Sequence, residues 1–152
     1  PTGFELPFSQ AYPESGYLLK GRIDKVVDLG GINRCAVVDY KKSFLGTCKE
    51  YEDPNGNGGS TQLPMYAKVL QDMHPGLHVE KAAYYDVQAA KHSFIWTEQN
   101  MGNKQRLLQI LEDKLDDTVR GLAQADFTAR PSRENCKNCP YRQICRRRYV
   151  LQ

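Results

Sequence analysis

Gly21-Arg22-Ile23-Asp24-Lys25-Val26-Val27-Asp28-Leu29-Gly30-Gly31-Ile32-Asn33-Arg34-Cys35-Ala36-Val37-Val38-Asp39-Tyr40-Lys41 holds two apolar runs around a pair of glycines. The first run, Tyr17 to Leu29, is rich in Leu, Ile and Val and is broken by polar residues, as in a partly buried strand. The second, Asn33 to Asp39, contains Cys35, Ala36, Val37 and Val38 and reads as the neighbouring strand. Gly30-Gly31 supplies the positive φ of a tight hairpin turn. Side chains on a strand alternate between faces, so Asp39 and Lys41 share one. If the loop is Gly30 and Gly31 alone, residues whose numbers add to 61 stand opposite each other, and Asp24 faces Val37. Val37 shares its face with Asp39, so Asp24 and Asp39 are expected as diagonal neighbours roughly 7–8 Å apart at Cα. Two carboxylates at that spacing can grip one Mg²⁺, which takes oxygen ligands at about 2.0–2.1 Å. Without a cation, their mutual repulsion opposes burial.

An Asp-x-Lys on a strand is more often a solvated pair than a site. Two features weigh against that reading here. The apolar Val37-Val38 leads directly into Asp39, and a helix bearing polar groups follows. Between Lys41 and that helix lies a polar, Gly-rich loop from Ser43 to Ser60, containing Pro54-Asn55-Gly56-Asn57-Gly58-Gly59. A loop of that length in a small domain is usually functional. Ser60 or Thr61 can cap the helix, and Pro64 is tolerated in its first turn. Leu63, Tyr66, Ala67, Leu70 and Met73 or His74 trace its buried stripe. Gln62 and Tyr66 are four apart and lie on one face, where an amide and a phenol can hydrogen-bond a phosphate or a base edge. The plainer alternative makes Tyr66 a core ring and Gln62 an exposed first-turn residue.

The rest of the chain completes an α/β frame. Phe4 to Phe8 reads as a short first strand, with Glu5 as an exposed polar position rather than an accessory acid. Val79 to Gln88 reads as a long strand and Ser93 to Thr97 as a short one. Lys104 to Ala123 is the longest helix, with Leu108, Leu111, Leu115, Val119 and Leu122 on one stripe. Strands, helix, strands and helix predict a mixed central sheet flanked by helices. The 152 residues suit one domain, an α/β core over 1–129 and a cysteine-rich tail over 130–152 entered through a Pro-containing linker from Asp126 to Glu134. At 40% hydrophobic and without a long apolar run, the chain has material for one core and none for a membrane span, which suggests a cytoplasmic setting. Pro1-Thr2-Gly3 shows neither an initiator Met nor a charged-then-apolar leader, so a segment of a longer protein is expected.

Charge is uneven. From Arg130 to Gln152 stand seven basic residues (Arg130, Arg133, Lys137, Arg142, Arg146, Arg147, Arg148) and one acid, Glu134, a local +6 within a net +3 that leaves −3 for the remainder. A basic tail on an acidic body suits a phosphate backbone, although Arg146-Arg147-Arg148 alone reads equally well as a solvated terminus.

Taken in order, Gly21-Arg22-Ile23-Asp24, Val38-Asp39-Tyr40-Lys41 and Gln62-Leu63-Pro64-Met65-Tyr66 resemble the successive motifs of the PD-(D/E)xK nuclease superfamily, in its RecB-type branch. Cys136-Lys137-Asn138-Cys139-Pro140-Tyr141-Arg142-Gln143-Ile144-Cys145 resembles the C-terminal cysteine cluster of the iron–sulfur members, most closely the AddB-type subunits of bacterial ATP-dependent helicase-nucleases. The resemblance runs from about Tyr17 to Cys145. It implies a restriction-endonuclease-like core and hydrolysis of DNA phosphodiesters with Mg²⁺ or Mn²⁺, as an exonuclease in DNA end processing and recombinational repair. It implies Asp24, Asp39 and the Tyr40 backbone carbonyl as metal ligands, Lys41 as the residue that positions or activates water, and Gln62 and Tyr66 as DNA contacts. It further implies a helicase-nuclease partner subunit. The histidine that often precedes the first catalytic aspartate in that branch has no counterpart, because His74, His78 and His92 all follow the motifs.

The five cysteines are Cys35, Cys48, Cys136, Cys139 and Cys145, an odd count that argues against a disulfide framework. C-x2-C-x5-C provides three thiolates where a 4Fe-4S cluster usually takes four, and the fourth ligand is absent from this chain. The preferred reading is a cluster site left incomplete, its upstream cysteine lying outside these residues. Zinc completed by Cys35, Cys48 or a histidine, and three free reduced thiols, are the alternatives. Cys35 shares a strand face with Val37 and Asp39 and is expected in the core or just behind the site. Two further classes stand beside the nuclease. One is a non-catalytic DNA-binding or structural module on the same frame. The other is an interaction module clamped through a metal-stabilised tail.

Overall fold

A computed structural model describes residues 2–13, 15–42, 61–128, 136 and 139–145. Within these residues, strands and helices follow in the order β1 (Gly3–Ala11), β2 (Leu18–Asp28), β3 (Arg34–Lys41), α1 (Gln62–Met73), β4 (His78–Asp86), β5 (Lys91–Trp96) and α2 (Met101–Ala123), with a 3₁₀ turn at Glu98–Asn100 before α2. The strands lie in the sheet in chain order. All neighbours are antiparallel except β3 and β4, which run parallel across the α1 crossover. The expected mixed sheet is present. The loop from Ser43 to Ser60, with Cys48, lies outside the described residues, as do Arg130, Arg133, Glu134, Lys137 and Arg146-Arg147-Arg148.

The run from Cys35 to Asp39 is buried on both sides of the sheet, as a central strand with a parallel neighbour requires. Both helices pack on one face, α1 against β3 and β4, and α2 against α1 and β5. Trp96, Tyr84, Ile23, Leu63, Val26, Val37, Val69 and Val79 fill the layer between them. Ile23 and Val26 both belong to this core although three residues apart. Strict alternation would send them to opposite faces, so the pleat of β2 is broken at Asp24-Lys25. Gly21 has its own reason to be glycine: a Cβ there would meet the Phe8 ring at 2.6 Å. The Phe8 ring of β1 lies against this glycine of β2.

The hairpin turn differs from the expected one. Asp28 pairs with Cys35, and Leu29 N–H donates to the Arg34 carbonyl at 3.1 Å. Gly30 to Asn33 therefore form a four-residue loop. Gly30, Gly31 and Asn33 all take positive φ, and Asn is among the few side-chain-bearing residues that accept it readily. The Asp28 carboxylate accepts the Gly30 N–H at 2.7 Å, while the Asn33 carbonyl accepts the His78 N–H at 2.7 Å and ties the turn to β4. Paired residues of β2 and β3 consequently add to 63, not 61. A shift of two leaves every side chain on its expected face, where a shift of one would have inverted them.

Element ends move by one to three residues, and two helical stripes need correction. Met73 is 48% exposed and His74 is exposed, so the α1 stripe is Leu63, Tyr66, Ala67, Val69 and Leu70. In α2 the buried positions are Lys104, Leu107 and Leu111, while Leu108, Leu115 and Val119 are half-buried and Leu122 is 42% exposed. Glu5 is exposed, as expected, and pairs with Arg22 at 2.9 Å.

Lys104 is the unexpected core residue, 7% exposed. Among the described residues no carboxylate lies within ion-pair distance of its ammonium, and burial pulls its pKa below the ordinary 10.5. A lowered lysine pKa means that the unfolded chain binds the extra proton. Stability is therefore missing at neutral pH and recovers as pH rises from the folded value toward 10.5. Lys104→Met should raise the melting temperature near pH 7 by about 3 °C, on the order of 1 kcal/mol, and flatten that alkaline recovery. A lower melting temperature in the variant would show instead that the ammonium is needed.

Candidate active site at the end of β3

β3 runs apolar until Asp39, and there the polar groups gather. The β2–β3 pairing ends at Lys25 and Val38, and Asp24 and Asp39 are the next residue on each strand. Their two carboxyls come within hydrogen-bonding reach of each other. Asp39 is 1% exposed, and Asp24 is half-buried. Asp24 Oδ2 accepts the backbone N–H of Tyr40 at 3.0 Å, which anchors its carboxylate against β3.

Lys41 emerges on the same face. Its Nζ lies 2.6 Å from Asp39 Oδ2 and donates to Gln62 Oε1 at 2.7 Å. Gln62 is the first residue of α1, and its Nε2 donates to the Tyr66 hydroxyl at 3.5 Å. The Tyr66 hydroxyl in turn donates to Asp39 Oδ1 at 3.4 Å. Asp39, Lys41, Gln62 and Tyr66 thus close a ring of contacts between the end of β3 and the first turn of α1. The plainer reading of α1 holds. Tyr66 is a core ring whose hydroxyl reaches the carboxylate, and Gln62 is an exposed residue whose amide holds the lysine. The fifth side chain, Tyr84, was not anticipated: its ring centroid lies 5.3 Å from Lys41 Nζ.

Burial pushes the Asp39 carboxyl above the usual carboxylate range. The Lys41 ammonium pulls it back, while the charge of Asp24 and a hydrogen bond between the two carboxyls push it up further. Tyr66 is pushed up to about 12 by burial first, then by the charges of Asp24 and Asp39. At neutral pH Tyr66 therefore keeps its proton and acts as a donor to Asp39. Two acids forced together, one of them sealed from water, form a site whose repulsion a divalent cation would relieve. Among the described residues no three His, Cys, Asp or Glu side chains come close enough to hold a metal by themselves. A cation on Asp24 and Asp39 would draw its other oxygens from backbone, water or substrate, as Mg²⁺ commonly does.

The remaining candidates lie elsewhere. Cys35 is fully buried in the core, and burial raises its thiol pKa. His92 stands on the opposite face of the sheet, lining a hollow of about 320 Å³ with Lys25, Val27, Val38, Tyr40 and Tyr85. The Tyr40 side chain points into that hollow, so only its backbone belongs to the acidic face. Cys136, Cys139 and Cys145 are partly exposed thiols. Arg142 N–H donates to the Cys139 carbonyl and Cys145 N–H to that of Tyr141, at 3.1 and 2.9 Å, so the last two cysteines flank a hydrogen-bonded turn.

A family model described as the PD-(D/E)XK nuclease superfamily matches residues 1–146. A solved structure titled "Crystal structure of SSO0001" is similar at 17% sequence identity with a TM-score of 0.48. The match covers 95% of this chain, and the chain spans 60% of that structure's length. A search of curated proteins finds no match.

Proposed function

Because the chain belongs to the PD-(D/E)XK nuclease superfamily, we propose that it hydrolyses DNA phosphodiesters at the Asp24–Asp39–Lys41 cluster. Its mixed five-stranded sheet with two helices is the restriction-endonuclease-like core of that family. The observation that carries the proposal is the meeting of two carboxylates, one buried, beside a lysine ammonium 2.6 Å from the buried one.

Asp24 and Asp39, with the Tyr40 carbonyl, are the groups that would hold Mg²⁺ or Mn²⁺. Such a cation, when bound, polarises the scissile phosphate and makes water a stronger nucleophile. The chain's own groups supply the rest. Lys41 places a fixed positive charge beside the phosphate and orients water by hydrogen bonding. Gln62 holds the Lys41 ammonium and, being exposed, can turn its amide to the DNA backbone. Tyr66 keeps Asp39 in one rotamer. Tyr40 N–H does the same for Asp24.

We further assign the setting to DNA end processing, as an exonuclease within a helicase-nuclease that has a partner subunit. Support comes from the order of the three motifs and the cysteine-rich, basic tail that follows them. No helix among the described residues is long and apolar enough to cross a membrane. The three tail thiols do not make a complete iron–sulfur site, and no step is assigned to a cluster. A colourless protein after anaerobic purification is the expected result for residues 1–152. Visible absorption with stoichiometric iron would show that a fourth ligand is found within the chain.

The test incubates the purified protein with linear single- and double-stranded DNA, with and without Mg²⁺. Metal-dependent cleavage is expected, with ends consumed before circular DNA of the same length. Cleavage that continues in a chelator would overturn the metal reading. Tight DNA binding without cleavage would favour the non-catalytic module.

A further inference from the structure

β4 contains the tandem Tyr84-Tyr85. The parallel register sets Asp39 beside Tyr84 and Tyr40 beside Tyr85. Alternation then separates the two rings. Tyr85 meets Tyr40 edge-on at 5.6 Å on the open face. Tyr84 turns to the acidic face, where it is fully buried. There its ring centroid lies 5.3 Å from Lys41 Nζ, within the roughly 6 Å over which an aromatic face attracts an ammonium.

We propose that Tyr84 is a positioning residue, its ring face seating the Lys41 ammonium for the reaction. The inference rests on the nuclease reading of the Asp24–Asp39–Lys41 cluster. A lysine stem has four carbons and about 2 kcal/mol of rotamer entropy. Holding its tip at one point requires contacts from several directions. Lys41 has three: the Asp39 carboxylate at 2.6 Å, the Gln62 amide at 2.7 Å and the Tyr84 ring at 5.3 Å. Of these, the carboxylate is shared with any cation at the site, and Gln62 is an exposed amide at the start of α1. The ring is a fully buried part of the core. It holds the ammonium beside Asp39 when a cation takes up the carboxylate. The π face does this, so the phenol oxygen is dispensable to the role.

The test compares Tyr84→Phe, Tyr84→Leu, Lys41→Met and the Tyr84→Leu/Lys41→Met pair. Two readouts are taken: kcat and KM on linear DNA, and the NMR chemical shift of the Lys41 ε-methylene. Ring current should move that shift upfield in the wild type and in Tyr84→Phe, and Tyr84→Leu should lose the displacement. Tyr84→Phe should keep kcat within about twofold, and Tyr84→Leu should lower it about tenfold at unchanged KM, the scale of one desolvated cation–π contact. In the Lys41→Met background, Tyr84→Leu should cost nothing more. A wild-type shift without ring-current displacement would overturn the inference. So would a Tyr84→Leu loss that persists fully in the Lys41→Met background. If Tyr84→Leu does not fold, the wild-type and Tyr84→Phe shifts carry the test. If the wild type cleaves nothing, the nuclease reading falls, and the shift still decides whether the ring seats the amine.

Discussion

Asp39→Asn should abolish cleavage while leaving the metal-free protein as stable as before, or more so. The rate loss should be on the order of 10³-fold or more, the upper range seen when one preorganised electrostatic group is removed. The stability result follows from the direction of the Asp39 shift. Burial raises its folded pKa above the ordinary 3.8. A raised folded value means that the folded state binds the proton more tightly. The associated stability is present below the unfolded pKa and lost as pH rises through the folded one. At neutral pH the ionised carboxylate is therefore a cost to folding, and asparagine removes it. The ion pair lost with it is modest, because Lys41 keeps its Gln62 contact and part of its hydration. Thermal melts between pH 4 and 8 should show a flatter profile for the variant, and added Mg²⁺ should no longer raise its melting temperature. A variant that still cleaves, or still gains stability from Mg²⁺, would place the site elsewhere.

Lys41→Met should separate binding from chemistry. The ammonium shares the Asp39 carboxylate with any cation, so its removal leaves that oxygen's charge entirely to the metal. Mg²⁺-dependent stabilisation should therefore persist or grow, read as a larger rise in melting temperature at the same Mg²⁺ concentration. Cleavage should fall about 10²- to 10³-fold, in kcat rather than KM, as expected for a charge used mainly in the transition state. Unchanged kcat would remove Lys41 from the mechanism. Loss of metal stabilisation together with kcat would mean that the lysine builds the carboxylate pair rather than acting beside it.

The acidic cluster was legible because it depends mainly on parity. Val37, Asp39 and Lys41 had to share a face of β3; Asp24 reaches that cluster past the break in the β2 pleat, on the Tyr40 N–H, and any even-numbered offset across the hairpin keeps the paired residues of β2 on their expected faces. The offset itself was not legible. Whether Gly30-Gly31 closes the turn alone, or Ile32 and Asn33 join it, depends on the hydrogen bond from His78 N–H to the Asn33 carbonyl, made by a strand 45 residues downstream. The reach of Gln62 to Lys41 depends likewise on how α1 settles over β3. In α2, leucine spacing correctly predicted a helix but misjudged its buried face, which holds Lys104, Leu107 and Leu111. Lys104 broke the pattern altogether, as a charged residue in an apolar layer must.

From its residues alone, the chain settled an α/β sheet, two acids and an amine on one side of it, and a polar helix start nearby. Those are consequences of period-two and period-3.6 repeats, which every local segment obeys. Only the folded packing decided that the Asp24 carboxylate is anchored on the Tyr40 N–H beside Asp39, that Lys41 is held between Asp39, Gln62 and Tyr84, and that Tyr40 and Tyr85 turn away. Such contacts join elements far apart in the chain. Their distances are set by how strands cross over and helices seat, not by any repeat within them.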